Sequence, residues 1–211
     1  MSLANFVVGR NQQALDALQR LLAGQLPEPI VYLWGASGCG RSHLAAAIAA
    51  TPSGWRWDAA AAPAAPGVAV VDDIEDVRDQ RAQIALFNRL NAVRETGWTQ
   101  AADRRIGCLV IGSAAPAQLD LRADLRTRLA WGHVFQLQLL DDVEKAEFLR
   151  AHAAARGATV SPELVTYMLL NLPRDLRTLA AALDALDRFA LAQQRPLTVP
   201  LLKTWLNQPN P

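Results

Sequence analysis

The stretch Ile30 to Ala50, IVYLWGASGCGRSHLAAAIAA, constrains this chain more than any other. IVYLW is apolar throughout rather than alternating, as a parallel strand covered on both faces must be. The alanine-rich run after Ser42 has the composition of a helix. Between them, Gly35, Gly38 and Gly40 let the backbone curl so that successive N–H groups point inward, and the start of the helix adds its positive end. Strand, glycine-rich turn and helix in that order form a phosphate cradle, and GASGCGRS follows the P-loop pattern. The candidate nucleotide-binding residues are therefore Gly35, Ala36, Ser37, Gly38, Cys39, Gly40, Arg41, Ser42 and His43.

Arg41 occupies the lysine slot of that pattern, and Ser42 the slot whose hydroxyl meets Mg²⁺. A guanidinium is larger, planar and forked, so it is expected to neutralise phosphates from the rim of the loop rather than enter as a compact point charge. Such a site keeps a nucleotide but positions a γ-phosphate poorly, which favours retention of a diphosphate. A second element follows in GVAVVDDIE, a strand that ends in Asp72 and Asp73. A carboxylate beyond a hydrophobic strand holds the metal and its water in such sites, with Asp72 and Ser42 as metal ligands and Asp73 placed to polarise a water.

Around this centre the pattern alternates. A helix is expected over Gln12–Leu22, closed by Gly24, Pro27 and Pro29, and at most a short strand near Trp55–Asp58 in the Ala/Pro-rich segment that follows the loop helix. A long helix is expected from Asp76 to Thr96 with Ile84, Phe87, Leu90 and Val93 on its inner side. Two more strands lie in IGCLVIGSA and HVFQLQLL, with an arginine-bearing helix from about Leu121 to Leu129 between them. Strand–helix alternation predicts an α/β fold with a three-layer parallel sheet. After Leu140 four helical segments follow with no strand between them, started by caps at Asp141, Ser161, Asp175 and Thr198, with Pro162 and Pro200 in first turns. The expected division is 1–140, a nucleotide-binding α/β domain, and 141–211, a small all-α lid.

Composition narrows the classes further. The 211 residues suit one domain with a small appendage, and 21 basic against 20 acidic residues leave a net charge of +1, without the basic footprint of a dedicated DNA-binding domain. Strong direct DNA binding is not expected. No apolar run approaches the ~18 residues of a membrane span, and MSLANFVVGRNQQ lacks signal-peptide features, so a cytoplasmic protein without membrane contact is expected. Cys39 and Cys108 give neither a disulfide framework nor a metal site, and both are expected to be reduced.

FVVGRN, GASGCGRSHL, VVDDIE, LRTRLAWGHVFQL and LPRDLRTLAAALDALDR, spaced in that order from about Asn5 to Leu206, together resemble the AAA+ module of the bacterial replication initiator DnaA. They resemble still more its shorter homologues of the Hda branch, regulatory inactivators of DnaA. The resemblance implies that Arg128 is an arginine finger reaching a neighbour's γ-phosphate, with Arg122 and Arg126 as lesser neighbours. It implies that Arg177 is the second-sensor arginine on the lid, with Arg174 as fallback, and that Val8, Gly9 and Asn11 lie beside the nucleobase. Ser113 stands at the first-sensor position, where relatives carry aspartate. Arg41 is shared with the Hda branch.

What this implies for function is a nucleotide-bound AAA+ protein, carrying ADP or ATP with Mg²⁺, that packs on ATP-bound DnaA and promotes its hydrolysis through Arg128 in trans. Its own ATPase is expected to be weak or absent, and homo-oligomers are an open possibility. The sliding clamp, the β subunit of DNA polymerase III, is an expected partner if a leading clamp-binding peptide exists outside this chain; none precedes Phe6 here, so the alternative is a homologue without clamp docking. No DNA-binding helix-turn-helix domain is expected to follow the lid. Two other readings stay open: an autonomous DNA-associated AAA+ ATPase such as a helicase loader, and a non-catalytic P-loop scaffold.

Overall fold

A computed structural model describes residue 3, residues 6–96 and residues 105–207. The outer ends of two sequence readings, Asn5 and the tail 208–211, lie outside these. The chain folds as two compact units, Met1–Leu139 and Leu140–Pro211.

The first unit is built on a parallel sheet of β1 (Ile30–Gly35), β2 (Gly54–Arg56), β3 (Gly67–Val71), β4 (Ile106–Gly112) and β5 (His133–Leu137), in the order β2-β3-β4-β1-β5. β1 aligns with β4 so that Tyr32 faces Val110, and with β5 so that Leu33 faces Phe135. Side chains of a strand alternate between the two faces, so each strand feeds two cores. On one face Val31, Leu33, Val68, Val70, Leu109 and Ile111 pack with α1 (Gln12–Ala23) and α2 (Arg41–Ala49). On the other, Ile30, Tyr32, Ala69, Val71, Cys108 and Val110 pack with α3 (Gln80–Thr96) and α4 (Ala123–Trp131). These are the three layers expected of the α/β fold.

The strand expected near Trp55–Asp58 is β2 over Gly54–Arg56, the helix expected over Leu121–Leu129 is α4 over Ala123–Trp131, and α3 departs further from the sequence reading. Asp76 does not begin the long helix: a 3-10 turn covers Ile74–Asp76, and α3 starts at Gln80, where Asp79 Oδ2 accepts from the Ala82 amide at 3.0 Å. Of the inner side expected for α3, Leu90 and Val93 are buried and Phe87 packs against the same core, but Ile84 is 39% exposed and Leu86 is buried in its stead. Burying a leucine or valine contributes roughly 1.5–3 kcal/mol, so the helix turns to the phase that hides Leu86, Leu90 and Val93 completely and leaves Ile84 out.

The Ala/Pro-rich segment, unreadable as pattern, is organised by one buried arginine. Arg89 on α3 is 1% exposed and donates to the carbonyls of Pro63, Ala65, Gly67 and Gly107. Trp55 covers its guanidinium at 5.3 Å. The five donors of a guanidinium in a planar fork suit several carbonyls at once, so the loop before β3 is tied to α3 without secondary structure of its own.

The second unit contains α5 (Asp142–Ala154), α6 (Pro162–Asn171), α7 (Leu176–Gln193) and α8 (Val199–Leu206), around Leu149, Leu164, Met168, Leu179, Leu186 and Leu201. All four caps read from sequence are made: Asp141 forms a reciprocal capping box with Glu144, and Ser161, Asp175 and Thr198 accept from Leu164, Thr178 and Leu201 amides. Each cap satisfies a donor that the helix start leaves unpaired, worth about 0.5–2 kcal/mol. Among the described residues, no helix is long and apolar enough to cross a membrane.

Candidate functional site

The glycine-rich loop leaves the carboxyl end of β1 and is open to solvent at Ala36, Ser37 and Gly38. Gly38 and Gly40 take φ of +85° and +98°, conformations that an L side chain resists. Gly40 is also the N-cap of α2 and no side chain caps that helix, so its first N–H groups remain available to an anion. Ser42 is exposed in the first turn. Cys39 is buried beneath the loop, where burial pushes its thiol above the usual range, and both cysteines are free.

The N-terminal stretch closes over the loop through a residue the sequence reading passed by. The Phe6 ring lies 5.9 Å from the His43 ring, and a Cβ added at Gly40 would sit 2.7 Å from it. Val8 is half-buried and Gly9 exposed beside it. Asn11, 4% exposed, spends its side chain on the backbone of Gln138. It therefore fixes the stretch that carries Val8 and Gly9 rather than offering its amide to a base.

β4 lies between the loop strand and the carboxylate strand, so Ser113, just past the end of β4, stands between the loop and Asp72. There it meets Glu75, another residue that sequence reasoning missed. Glu75 Oε1 accepts from the Ser113 amide at 2.5 Å and from its hydroxyl at 2.7 Å. Burial pushes Glu75 up, but the two Ser113 bonds and the nearby Arg41 charge hold it below its usual value. Asp72 moves the other way: burial and the Asp73 charge raise it, against the lowering influence of Arg56 and Arg41. Arg56 approaches it at 3.9 Å.

Arg41 thus stands close enough to shift Asp72, Glu75 and Tyr32. Its Nη1 is buried without an acceptor. The guanidinium is turned inward among the strand ends rather than along the rim. Asp73 is exposed and left-handed at φ +52°, a conformation that Asp tolerates better than most residues. Gly112 has no room for a Cβ because Tyr32 Oη occupies that space on its way to the Ala114 carbonyl, 2.6 Å away.

A hard divalent cation fits these donors. Asp72 Oδ1 is buried with no hydrogen-bond partner, and an exposed serine hydroxyl with one or two carboxylates is the kind of oxygen set that Mg²⁺ shares with phosphates and water. Ser42 and Asp72 would hold it.

The arginines of α4 divide by what they touch. Arg122 makes a two-point pair with Asp124 at 3.1 and 2.7 Å, and Arg126 reaches the Leu119 carbonyl at 3.4 Å. Among the described residues Arg128 has neither kind of partner: its guanidinium lies 4.1 Å from the Trp131 ring centre and 5.5 Å from that of Phe87, with Nη1 buried and unbonded. α4 packs on the opposite face of the sheet from α2. It also runs back against the strands, so Arg128, three residues from its end, lies toward the end of the sheet where β5 begins, opposite the end that carries the loop. In the second unit, Arg174 pairs with Asp142, while Arg177 is exposed in the first turn of α7 and makes no ion pair among the described residues.

A parallel sheet with this strand order, a glycine cradle at the end of β1 and a helical second unit make up an AAA+ fold. Residues 142–206 match the family model described as Hda, lid domain. Domain III of the Thermotoga maritima replication initiation protein DnaA is similar at 16% identity over 98% of this chain and 97% of that one, with a TM-score of 0.69. AMPPCP-bound DnaA from Aquifex aeolicus is 20% identical over 88% of this chain and 64% of that one, TM-score 0.70. The Thermotoga maritima RuvB Holliday junction branch migration motor is 14% identical over 92% of this chain and 66% of that one, TM-score 0.67. At these identities the solved structures establish the fold, and the family match gives residues 142–206 as an Hda-type lid domain.

Proposed function

We propose that this chain is a nucleotide-bound regulator of replication initiation that packs on ATP-bound DnaA and supplies Arg128 in trans to promote hydrolysis there. The observation that carries this reading is the position of Arg128, on the opposite sheet face from α2 and toward the end of the sheet where the strands begin, whereas the loop lies at the end where they finish. An arginine so placed cannot serve the nucleotide of its own subunit, yet it stands ready for a neighbour's. A guanidinium brought to the transferring phosphoryl group stabilises charge spreading over its oxygens, an effect worth about 10³–10⁵ in rate. The Hda-type lid and the DnaA-like fold support the same direction.

In the chain's own site, the backbone of Gly38 to Ser42 binds phosphates, Arg41 balances their charge and that of Asp72 and Glu75, and Arg177 on the lid is the second-sensor candidate. Mg²⁺, held by Ser42 and Asp72, would supply charge neutralisation to a bound ADP or ATP. The bonds of Ser113 to Glu75 leave that serine little freedom to orient a hydrolytic water, so the nucleotide is a structural clamp with weak or no turnover.

The test is hydrolysis of radiolabelled ATP preloaded on DnaA, with clamp-loaded DNA present, comparing this protein and its Arg128→Ala variant with ADP added. Acceleration that disappears in Arg128→Ala is the expected result. Turnover by this protein alone with no effect on DnaA would replace the reading with an autonomous ATPase, which the unpartnered Asp72 oxygen favours. Equal acceleration by both proteins would remove Arg128 from the mechanism.

A further inference from the structure

Arg128 does not stand alone on the Trp131 indole. Arg94 Cζ of α3 lies 4.3 Å from the same ring centre, so two guanidinium groups share one aromatic platform. Neither arginine has an acidic partner within ion-pair distance among the described residues. Trp131 is nevertheless 47% exposed and Arg94 is exposed, so this is a surface feature with uncompensated positive charge. Ile84, Phe87 and Arg94 follow one another on α3 at helical spacing, which places the outward Ile84 on the same stripe.

A cation held by a ring face leaves its N–H edge unspent, because the attraction comes from the quadrupole of the ring and not from a hydrogen bond. In Arg128, Nη1 is buried and has no acceptor among the described residues, so the ring contacts and not hydrogen bonds hold that side of the guanidinium. Two like charges beside one ring are unfavourable until an anion joins them. The chemistry that would complete the arrangement is a polyanion with acceptors in several directions, such as the phosphates of a nucleotide carried by a partner protein.

We propose that Trp131 is the positioning residue for Arg128, and that Arg94, stacked on the same indole, is a second cation of the surface that meets a partner's nucleotide phosphates. This rests on the reading of Arg128 as a finger acting in trans. Trp131 sets the direction of the guanidinium, and Arg94 adds attraction to the approaching charge.

The experiment measures hydrolysis of ATP preloaded on DnaA against the concentration of this protein, for Trp131→Phe, Trp131→Leu, Arg94→Gln and Arg128→Ala, each first checked for an unchanged melting temperature. Cation–π contacts at an exposed ring such as this correspond to roughly two- to five-fold in an equilibrium. Trp131→Leu, which keeps an apolar side chain but no ring, is expected to lose about that factor in rate at saturating protein, with half-saturation kept. Trp131→Phe is expected to recover most of it. Arg94→Gln is expected to raise the half-saturating concentration several-fold and to flatten its dependence on salt, with the saturated rate kept. If Arg128→Ala abolishes acceleration while Trp131→Leu matches the unaltered protein, the positioning role is overturned and the finger stands. An Arg94→Gln curve that overlays the unaltered one overturns the second cation. If Arg128→Ala itself has no effect, the underlying reading fails first.

Discussion

Asn11 and Gln138, 127 residues apart in sequence, form a two-point pair: the Gln138 amide donates to Asn11 Oδ1 at 2.7 Å, and Asn11 Nδ2 donates to the Gln138 carbonyl at 3.0 Å. A carboxamide matches a backbone amide in both roles, and Arg10 extends the tie to the Leu139 carbonyl at 3.0 Å. The stretch before α1 is thereby fixed to the end of the last strand, beside the loop. Asn11→Ala should cost about 1–3 kcal/mol, since two polar groups lose partners, and Asn11→Asp should not restore it because a carboxylate cannot donate. Urea denaturation of the full chain measures both.

Arg89 should be the most costly charged residue in the first unit to replace. Arg89→Met leaves four carbonyl groups without their donor and is expected to lose about 3–5 kcal/mol, in the range for breaking a buried polar network. Arg89→Lys should recover only part, because an ammonium has three donors and no planar fork. Thermal unfolding, with limited proteolysis between Asp58 and Gly67, checks the loss and its location.

Gly40→Ala puts a methyl against the Phe6 ring and an L residue at φ +98°. A strain of about 1–3 kcal/mol falls on the turn that aims the amides of the loop. The expected outcome is at least a tenfold weaker affinity for ADP by isothermal titration, with a smaller change in overall stability. An unchanged affinity would show that the amides of this turn do not hold phosphate.

Glu75 and Asp72 should leave opposite marks on the pH dependence of stability. The Glu75 value is lowered when folded, so its contribution is complete above the ordinary 4.5 and is lost as pH falls through the lower folded value. The melting-temperature deficit of Glu75→Gln should therefore shrink as pH drops below about 4.5. Asp72 is raised from 3.8, so ionising it costs more in the folded protein, and Asp72→Asn should gain on the unaltered chain as pH rises above that value. Melting curves from pH 3 to 7 separate the two.

Much of this architecture is legible in local pattern. The cradle needs glycines at set positions between a buried strand and a helix, and each lid helix announces itself by a capping residue three positions before the amide it satisfies. Such features depend on neighbours within a few residues. The phase of α3 is not legible in that way, because Ile84, Phe87, Leu90 and Val93 make as regular a stripe as Gln83, Leu86, Leu90 and Val93. Only the competing surfaces of the sheet and α4 choose between two stripes one residue apart.

The candidate site divides in the same way. Local spacing was enough to specify the loop, the strand-end carboxylates, the helix bearing Arg128 and the all-helical second unit, because each is written within one segment of the chain. Long-range packing settled that Glu75 holds Ser113, that Arg41 turns inward, that Arg89 gathers the alanine-rich segment and that Arg94 and Arg128 share Trp131. Those pairings join residues far apart in the chain, and their energies depend on burial and on which donors lack other partners. Neither quantity exists until the sheet has brought the strand ends and helix faces together.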